Sequence, residues 1–375
     1  MGIDFAAEGL LDGLEGDARA TRLELLQQLA ADGVSLEELR AATRDGRLLF
    51  VGAERMVSGI PRYSTREVSQ RAGVRPEFVM ALRQANGLPV PDLDAVVCSE
   101  NDIQGAILAR RFLDSGVTEE QQLAVVRVLG RGLAQAAEVM RATVLELVLE
   151  PGASEAELAR RIAERIEGFM PMVGPMLEQM TRQHLRHMVR TEAISAAERR
   201  DGTLPGARDV TVAFADLVGF TRLGEEVPPD ELGRIAQRLA RLTVEHLRAD
   251  VRLVKTIGDA AMLVSPDARP LLEVALDLVD AAGAEGEDFP QLRIGMASGA
   301  ALSRAGDWYG RPVNIASRVT TIARPGSVLA TREVRDAAGD AYRWSGAGAR
   351  SLKGVDGPVR LYRVRRVRDE DARAA

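Results

Sequence analysis

Apolar side chains recur every three or four positions through the first two hundred residues of this chain. Leu23, Leu26 and Leu29, then Leu123, Val126, Leu129 and Leu133, then Leu158, Ile162 and Ile166 each mark one face of a helix, because the helical period returns positions i, i+3, i+4 and i+7 to one side. Strand-type alternation is scarce there. Gly59-Ile60-Pro61, Gly87-Leu88-Pro89-Val90-Pro91 and Pro151-Gly152 interrupt the pattern with the turn chemistry expected between helices. Residues 1–190 are therefore expected to form an all-helical domain.

Around Thr191–Arg200 the pattern becomes alanine-rich and charged, and Asp201-Gly202-Thr203-Leu204-Pro205-Gly206 reads as a helix exit and linker, placing a junction at 191–207. The period then changes. Val210, Val212 and Phe214 alternate as in a strand, while Leu232, Ile235, Leu239 and Leu242 return to helical spacing. Arg252–Ile257 and Ala260–Val264 read as strands around a Gly258-Asp259 hairpin, Leu271–Ala282 as a helix and Leu292–Ala297 as a strand. The order β-α-β-β-α-β predicts a ferredoxin-like sheet with helices on one face over 208–366, extended by a helix at Val313–Arg324 and a strand at Val359–Val364, with a tail at 367–375. The fold class is α+β.

Composition narrows the function. At 375 residues the chain can bury two separate cores. It holds no run of about 18 apolar residues that would span a bilayer, and Met1-Gly2-Ile3-Asp4 lacks the basic-then-apolar order of a secretory signal, so a cytoplasmic protein is expected. Cys98, alone, can form neither a disulfide framework nor a thiolate metal site, and is expected in the core. Residues 1–200 carry 24 arginines against 30 acids, and 201–375 carry 25 basic residues against 25 acids. Neither half has the basic excess that broad contact with nucleic-acid phosphates requires. The bases themselves are unevenly chosen: 47 are arginine and only Lys255 and Lys353 are lysine. A compact ammonium on a flexible stem performs tasks a planar guanidinium does not, which marks both lysines as candidates for chemistry.

Three segments concentrate the remaining candidates. Val212-Ala213-Phe214-Ala215-Asp216-Leu217-Val218-Gly219-Phe220-Thr221 sets a carboxylate at the end of an apolar strand, followed by a glycine turn whose backbone N–H groups suit phosphate, with Phe220 and Thr221 as substrate contacts. Lys255-Thr256-Ile257-Gly258-Asp259 sets a second carboxylate at a hairpin tip, where antiparallel strands bring it toward Asp216; such a pair suits Mg²⁺ or Mn²⁺. In Gly306-Asp307-Trp308-Tyr309-Gly310-Arg311-Pro312-Val313-Asn314-Ile315-Ala316-Ser317-Arg318, Asn314 and Arg318 lie four apart near a helix start and can address one ligand.

These segments resemble the class III nucleotidyl cyclases, and the resemblance covers about 208–365. It implies that Asp216 and Asp259 hold two divalent ions, that Lys255 and Asp307 recognise adenine, that Arg318 stabilises charge at the α-phosphate and that Asn314 orients the ribose. Related guanylate cyclases carry Glu and Cys-type residues at the two base-binding positions, so the Lys/Asp pair implies ATP as substrate and cyclic AMP and pyrophosphate as products. Lys353, in Ser351-Leu352-Lys353-Gly354, resembles the family's triphosphate-binding lysine. The family builds each site from two subunits, which implies a homodimer; the general base stays open. A rival reading, a DNA-binding regulator with a cyclase-like nucleotide sensor, does not account for the complete set of site residues.

The helical half resembles the regulatory domain preceding some bacterial cyclase domains, which implies autoinhibition relieved at acidic pH. His184 and His187, three apart on an expected helix, are candidate proton sensors. Phe169-Met170-Pro171-Met172-Val173-Gly174-Pro175-Met176, with Met180 and Met188, is an adaptable apolar stretch suited to lining a fatty-acid pocket. The helix running toward Arg200 is expected to transmit the regulatory state. Tyr63–Gln84 reads as a helix-turn-helix, yet Phe78, Val79, Met80 and Leu82 look core-bound, which disfavours DNA as a partner.

Overall fold

The computed structural model describes residues 3–191, 206–286 and 288–367. The chain divides into two compact units, Met1–Glu192 and Ala193–Ala375.

In the first unit the helices run α1 (Gly16–Ala31), α2 (Leu36–Arg44), α3 (Val51–Ser58), α4 (Thr65–Ala72), α5 (Pro76–Ala85), α6 (Glu100–Asp114), α7 (Glu119–Val148) and α8 (Glu155–Thr191). Their starts are written locally. Ser64 and Glu67 close a capping box on α4, and Thr118 and Gln121 close another on α7; each satisfies N–H groups that the helix leaves unpaired, worth about 1 kcal/mol per cap. Gly59, Gly87 and Gly152 stand at positive φ where the sequence breaks were expected. Leu25, Leu26 and Leu29 of α1 pack with Leu39, Val51 and Ala156. Cys98 is buried in a smaller cluster with Val68, Ala72 and Ile103.

Pro171 and Pro175 lie inside α8 rather than ending it. Met170, Met172, Met176, Met180 and Met188 are exposed along this helix. The methionine stretch thus forms a helix surface and not the lining of an enclosed pocket, because a continuous helix spreads its residues around its axis.

The second unit follows the expected β-α-β-β-α-β order: β1 (Arg208–Leu217), α9 (Phe220–Glu226), α10 (Pro229–Glu245), β2 (Arg252–Ile257), β3 (Ala260–Ser265), α11 (Ala268–Ala284) and β4 (Leu292–Arg304). It continues with β5 (Asp307–Tyr309), α12 (Arg311–Ile322), β6 (Ser327–Thr331), α13 (Arg332–Ala338), β7 (Tyr342–Ser351) and β8 (Pro358–Arg366). The strands order as β2-β3-β1-β4-β6-β8-β7, with β5 paired to β4.

Alternation along β1 splits the core. Ala213, Ala215 and Leu217 face Leu239 and Leu242 of α10 and Leu271, Leu272 and Leu278 of α11, while Val210 and Val212 join Met262, Val264 and Ala297 beneath Ile315, Ala316 and Val319 of α12. The helices of the β-α-β-β-α-β core, α10 and α11, share one face as expected, while the added helix α12 covers the opposite one. Gly295 on β4 makes that seat, since a Cβ there would stand 2.2 Å from the backbone nitrogen of Thr320. The seated helix is also pinned by Thr320 Oγ1, which donates to the Phe214 carbonyl at 3.2 Å.

Candidate active site

The sheet face that carries α12 also carries the candidate carboxylate Asp216. Asp216 shares the parity of Val212 and Phe214 on β1, and its register partners are Ala260 on β3 and Arg293 on β4. Asp259 sits at the β2–β3 tip, where Gly258 takes φ 57°, a backbone region that glycine enters without steric cost. The Leu217 amide donates to the Asp259 carbonyl at 3.1 Å. Strand end and hairpin tip are thereby locked together, and the two carboxyl groups become neighbours across 43 residues of sequence.

Their electrostatics are asymmetric. Burial pushes the Asp259 carboxyl above its ordinary value, and the adjacent Asp216 charge adds to the shift. Asp216 has its own counter-charge: Arg293 Nε donates to Asp216 Oδ2 at 2.7 Å, and Nη2 stands 2.5 Å from the same oxygen in the ion pair. No third His, Cys, Asp or Glu joins the pair among the described residues. Two crowded carboxylates, one of them paired with a guanidinium, fit a small, hard divalent cation that completes its shell with water and substrate oxygens, as Mg²⁺ does.

Arg293 was missed in the sequence reading. Its signal was a charge inside the apolar strand Leu292-Arg293-Ile294, where an alternating position needs a partner once it faces a covered surface.

Lys255 on β2 and Asp307 at the start of β5 lie 52 residues apart and form an ion pair. Asp307 Oδ1 also accepts from the Trp308 amide at 2.9 Å, which orients the carboxylate. Both side chains are about a third exposed, so the pair is reachable from solvent. Asn314 and Arg318 are exposed together on α12, four positions apart and so on one side of the helix. Lys353 is exposed in the β7–β8 turn, held in place by buried Leu352. None of these three side chains has a hydrogen-bond or ion-pair partner among the described residues.

Thr221 is exposed in the first turn of α9, whereas the Phe220 ring packs against the core containing Leu217 and Leu239. The Phe220 ring is thus occupied in packing, because an aromatic ring gains more from burial than from water, and only its backbone amide is left as the candidate contact. His184 and His187 are both exposed on α8. In the helix-turn-helix segment, Phe78 is buried and Val79, Met80 and Leu82 are half-buried. Its arginines are engaged within the unit, Arg66 with Asp94 and Arg75 with Glu119. No helix among the described residues is long and apolar enough to cross a membrane.

Two family models match the chain: an adenylate cyclase regulatory domain over residues 3–189 and an adenylate and guanylate cyclase catalytic domain over 204–365. Over 371 residues the chain is 47% identical to a pH-sensitive adenylate cyclase of Mycobacterium tuberculosis, covering 97% of this chain and 92% of the relative. An adenylate cyclase of Streptomyces coelicolor is 31% identical over 287 residues, 75% of this chain and 71% of that one. Among solved structures, the adenylyl cyclase CyaB of P. aeruginosa superposes with a TM-score of 0.38 at 22% identity, covering 44% of this chain and 96% of CyaB. The chain belongs to the class III nucleotidyl cyclases, in the adenylate cyclase family whose members carry this helical regulatory domain ahead of the catalytic one.

Proposed function

We propose that the protein converts ATP to 3′,5′-cyclic AMP and pyrophosphate at two equivalent sites, each assembled from the catalytic units of two chains. The observation that carries the reading is the division of side chains into partnered and unpartnered sets. Arg293 pairs with Asp216 beside Asp259 on the strand ends, while Asn314, Arg318 and Lys353 project from α12 and the β7–β8 turn with no partner among the described residues. Three such polar side chains suit a ligand and a second copy.

Asp216 and Asp259 would hold divalent cations, whose charge lowers the pKa of the ribose 3′-hydroxyl and neutralises the triphosphate. Cyclisation is an in-line displacement in which the 3′-oxygen bonds to the α-phosphorus and pyrophosphate departs. Arg318 stabilises the charge that develops on the α-phosphate, Asn314 orients the ribose and Lys353 binds the triphosphate. Lys255 donates to an adenine ring nitrogen and Asp307 accepts from the exocyclic amine. Their mutual ion pair keeps both groups oriented before the base arrives, and guanine presents the opposite donor and acceptor pattern.

The helical unit sets the response to pH in this reading, supported by the pH-sensitive relative at 47% identity. His184 and His187 remain the sensor candidates; the helix end toward Arg200, proposed as transmitter, lies outside the described residues. The decisive test measures cyclic nucleotide formation from ATP and from GTP with Mn²⁺, comparing the full chain with residues 201–375 across about pH 5.5 to 8, the range in which histidine titrates. Cyclic AMP from both, with pH dependence only in the full chain, is the expected result. Absence of product from both would overturn the proposal.

A further inference from the structure

The catalytic unit carries a second polar hollow that the proposed reaction leaves unassigned. It is a cleft of about 490 Å³ between the end of α12, β6 and the β7–β8 pair. Arg324, Arg350 and Arg363 stand around it and no carboxylate lines it. Its floor is apolar, formed by the buried side chains of Leu329, Leu352 and Leu361.

Three guanidiniums around one hollow need a reason in a chain with 55 acids and 49 bases. A larger hollow beside α10, of about 730 Å³, shows the balanced alternative: Arg234, Arg238 and Arg241 share it with Glu231, Glu285 and Asp288, and Arg238 pairs with Glu285. Likewise Arg366, three residues beyond Arg363, holds Glu273, Asp277 and Asp280. By contrast, the side chains of Arg324, Arg350 and Arg363 have no acceptor among the described residues. Like charges around one cleft repel one another and focus a positive potential into it, which an anion relieves.

The shape and position specify that anion. Guanidinium groups bind phosphate oxygens two at a time, and three of them spread around a cleft of about 490 Å³ leave room for two linked phosphates. The cleft adjoins the segment that carries Lys353, through Arg350, Ser351 and Leu352, and the helix that carries Arg318, through Ile322. We propose that this cleft is a binding site for a diphosphate group, with Arg324, Arg350 and Arg363 as its ligands. The anion chemistry rests on the arginines alone; the identification of its source with the triphosphate of the reaction rests on the proposed role of Lys353.

Two sources share this chemistry, the departed pyrophosphate and the β,γ-diphosphate of ATP before cleavage. The first arm of the test uses the full chain with Asp216→Asn in metal-free buffer, titrated calorimetrically with pyrophosphate, so that neither metal binding nor turnover contributes. Binding is expected, and adding Arg350→Gln with Arg363→Gln is expected to weaken it at least about tenfold, the loss of one to two charge-assisted contacts. Absence of binding, or affinity within about twofold after the double change, overturns the site. Where that variant fails to fold, Arg324→Gln at an exposed position gives the same reading. The second arm measures pyrophosphate inhibition and KM for ATP in the otherwise wild-type chain. A raised inhibition constant with unchanged KM assigns the cleft to the product, and a parallel rise of both assigns it to the substrate's tail; no change in either overturns the link to the reaction. An inactive wild-type chain would sink the cyclase reading and leave the metal-free titration standing.

Discussion

Arg293 holds Asp216 from directly across the sheet: the two are register partners on β4 and β1, and two arginine nitrogens reach the same carboxylate oxygen. The contact is mostly shielded, with Asp216 19% and Arg293 27% exposed at the side chain. Removing the guanidinium would leave Asp216 and Asp259 crowded with no counter-charge. Arg293→Gln should therefore lower unfolding stability by about 1–3 kcal/mol in denaturant titrations. It should also show a larger rise in thermal midpoint with added Mn²⁺ than the wild type, because the cation replaces the missing charge. Equal Mn²⁺ stabilisation in both chains would show that Arg293 does not balance the carboxylate pair.

The Lys255–Asp307 pair makes a separate prediction about the base. Replacing Lys255 by Gln removes a charged donor and breaks its ion pair with Asp307, so kcat/KM for ATP should fall by about 10- to 100-fold, equivalent to one charged hydrogen bond. The ATP to GTP preference should narrow with it. A uniform loss for both nucleotides would assign Lys255 to positioning rather than to base recognition.

Sites shared between chains predict complementation. Asp216→Asn and Arg318→Gln chains should each be inactive alone, yet an equimolar mixture should recover about a quarter of wild-type activity: half the dimers are mixed and each mixed dimer has one intact site of two. A chain carrying both changes, mixed with either single variant, should recover nothing. Failure of the two single variants to restore activity would argue for sites contained in one chain.

Gly295 links packing to chemistry. A methyl group there meets the Thr320 nitrogen at 2.2 Å and the Ala316 carbonyl at 2.7 Å, both backbone atoms that cannot rotate away. Gly295→Ala should cost about 1–3 kcal/mol of stability. It should also lower kcat through displaced Asn314 and Arg318, which ride on the same helix. Full activity in a folded variant would mean that the seat of α12 does not set the site geometry.

Tyr342 provides a pH dependence of stability. Burial, with a hydrogen bond to Glu273, pushes its phenol up to about 12. The folded chain thus keeps a proton that the unfolded chain releases near its ordinary value, so this contribution is present below about pH 10 and is lost as pH rises through about 12. Urea titrations should show the stability gap between wild type and Tyr342→Phe shrinking from about pH 9 to about pH 11.5. A constant gap would mean the phenol is not held neutral by the fold.

Much of this molecule is determined within short stretches of its sequence. The caps at Ser64 and Thr118, the turn at Gly258 and the alternation of Val210, Val212 and Phe214 each act over a few residues, so helices and central strands are legible from local spacing. The two lysines are conspicuous in composition alone, and Asp216, Asp259, Asn314 and Arg318 sit in compact motifs. What escaped local reading depends on non-local pairing. β6 is five residues long and β7 runs through Ser345-Gly346-Ala347-Gly348-Ala349, so both owe their strand geometry to hydrogen bonds with β8 rather than to intrinsic preference. Only the fold decided that α12 lies opposite α11, since a helix carries its apolar stripe in its sequence but not the face of the sheet it will meet. Only the fold set Arg293 against Asp216 across 77 residues and gathered Arg324, Arg350 and Arg363 around one cleft, because charges that are distant along a chain acquire partners, or lack them, only when the sheet closes the distance.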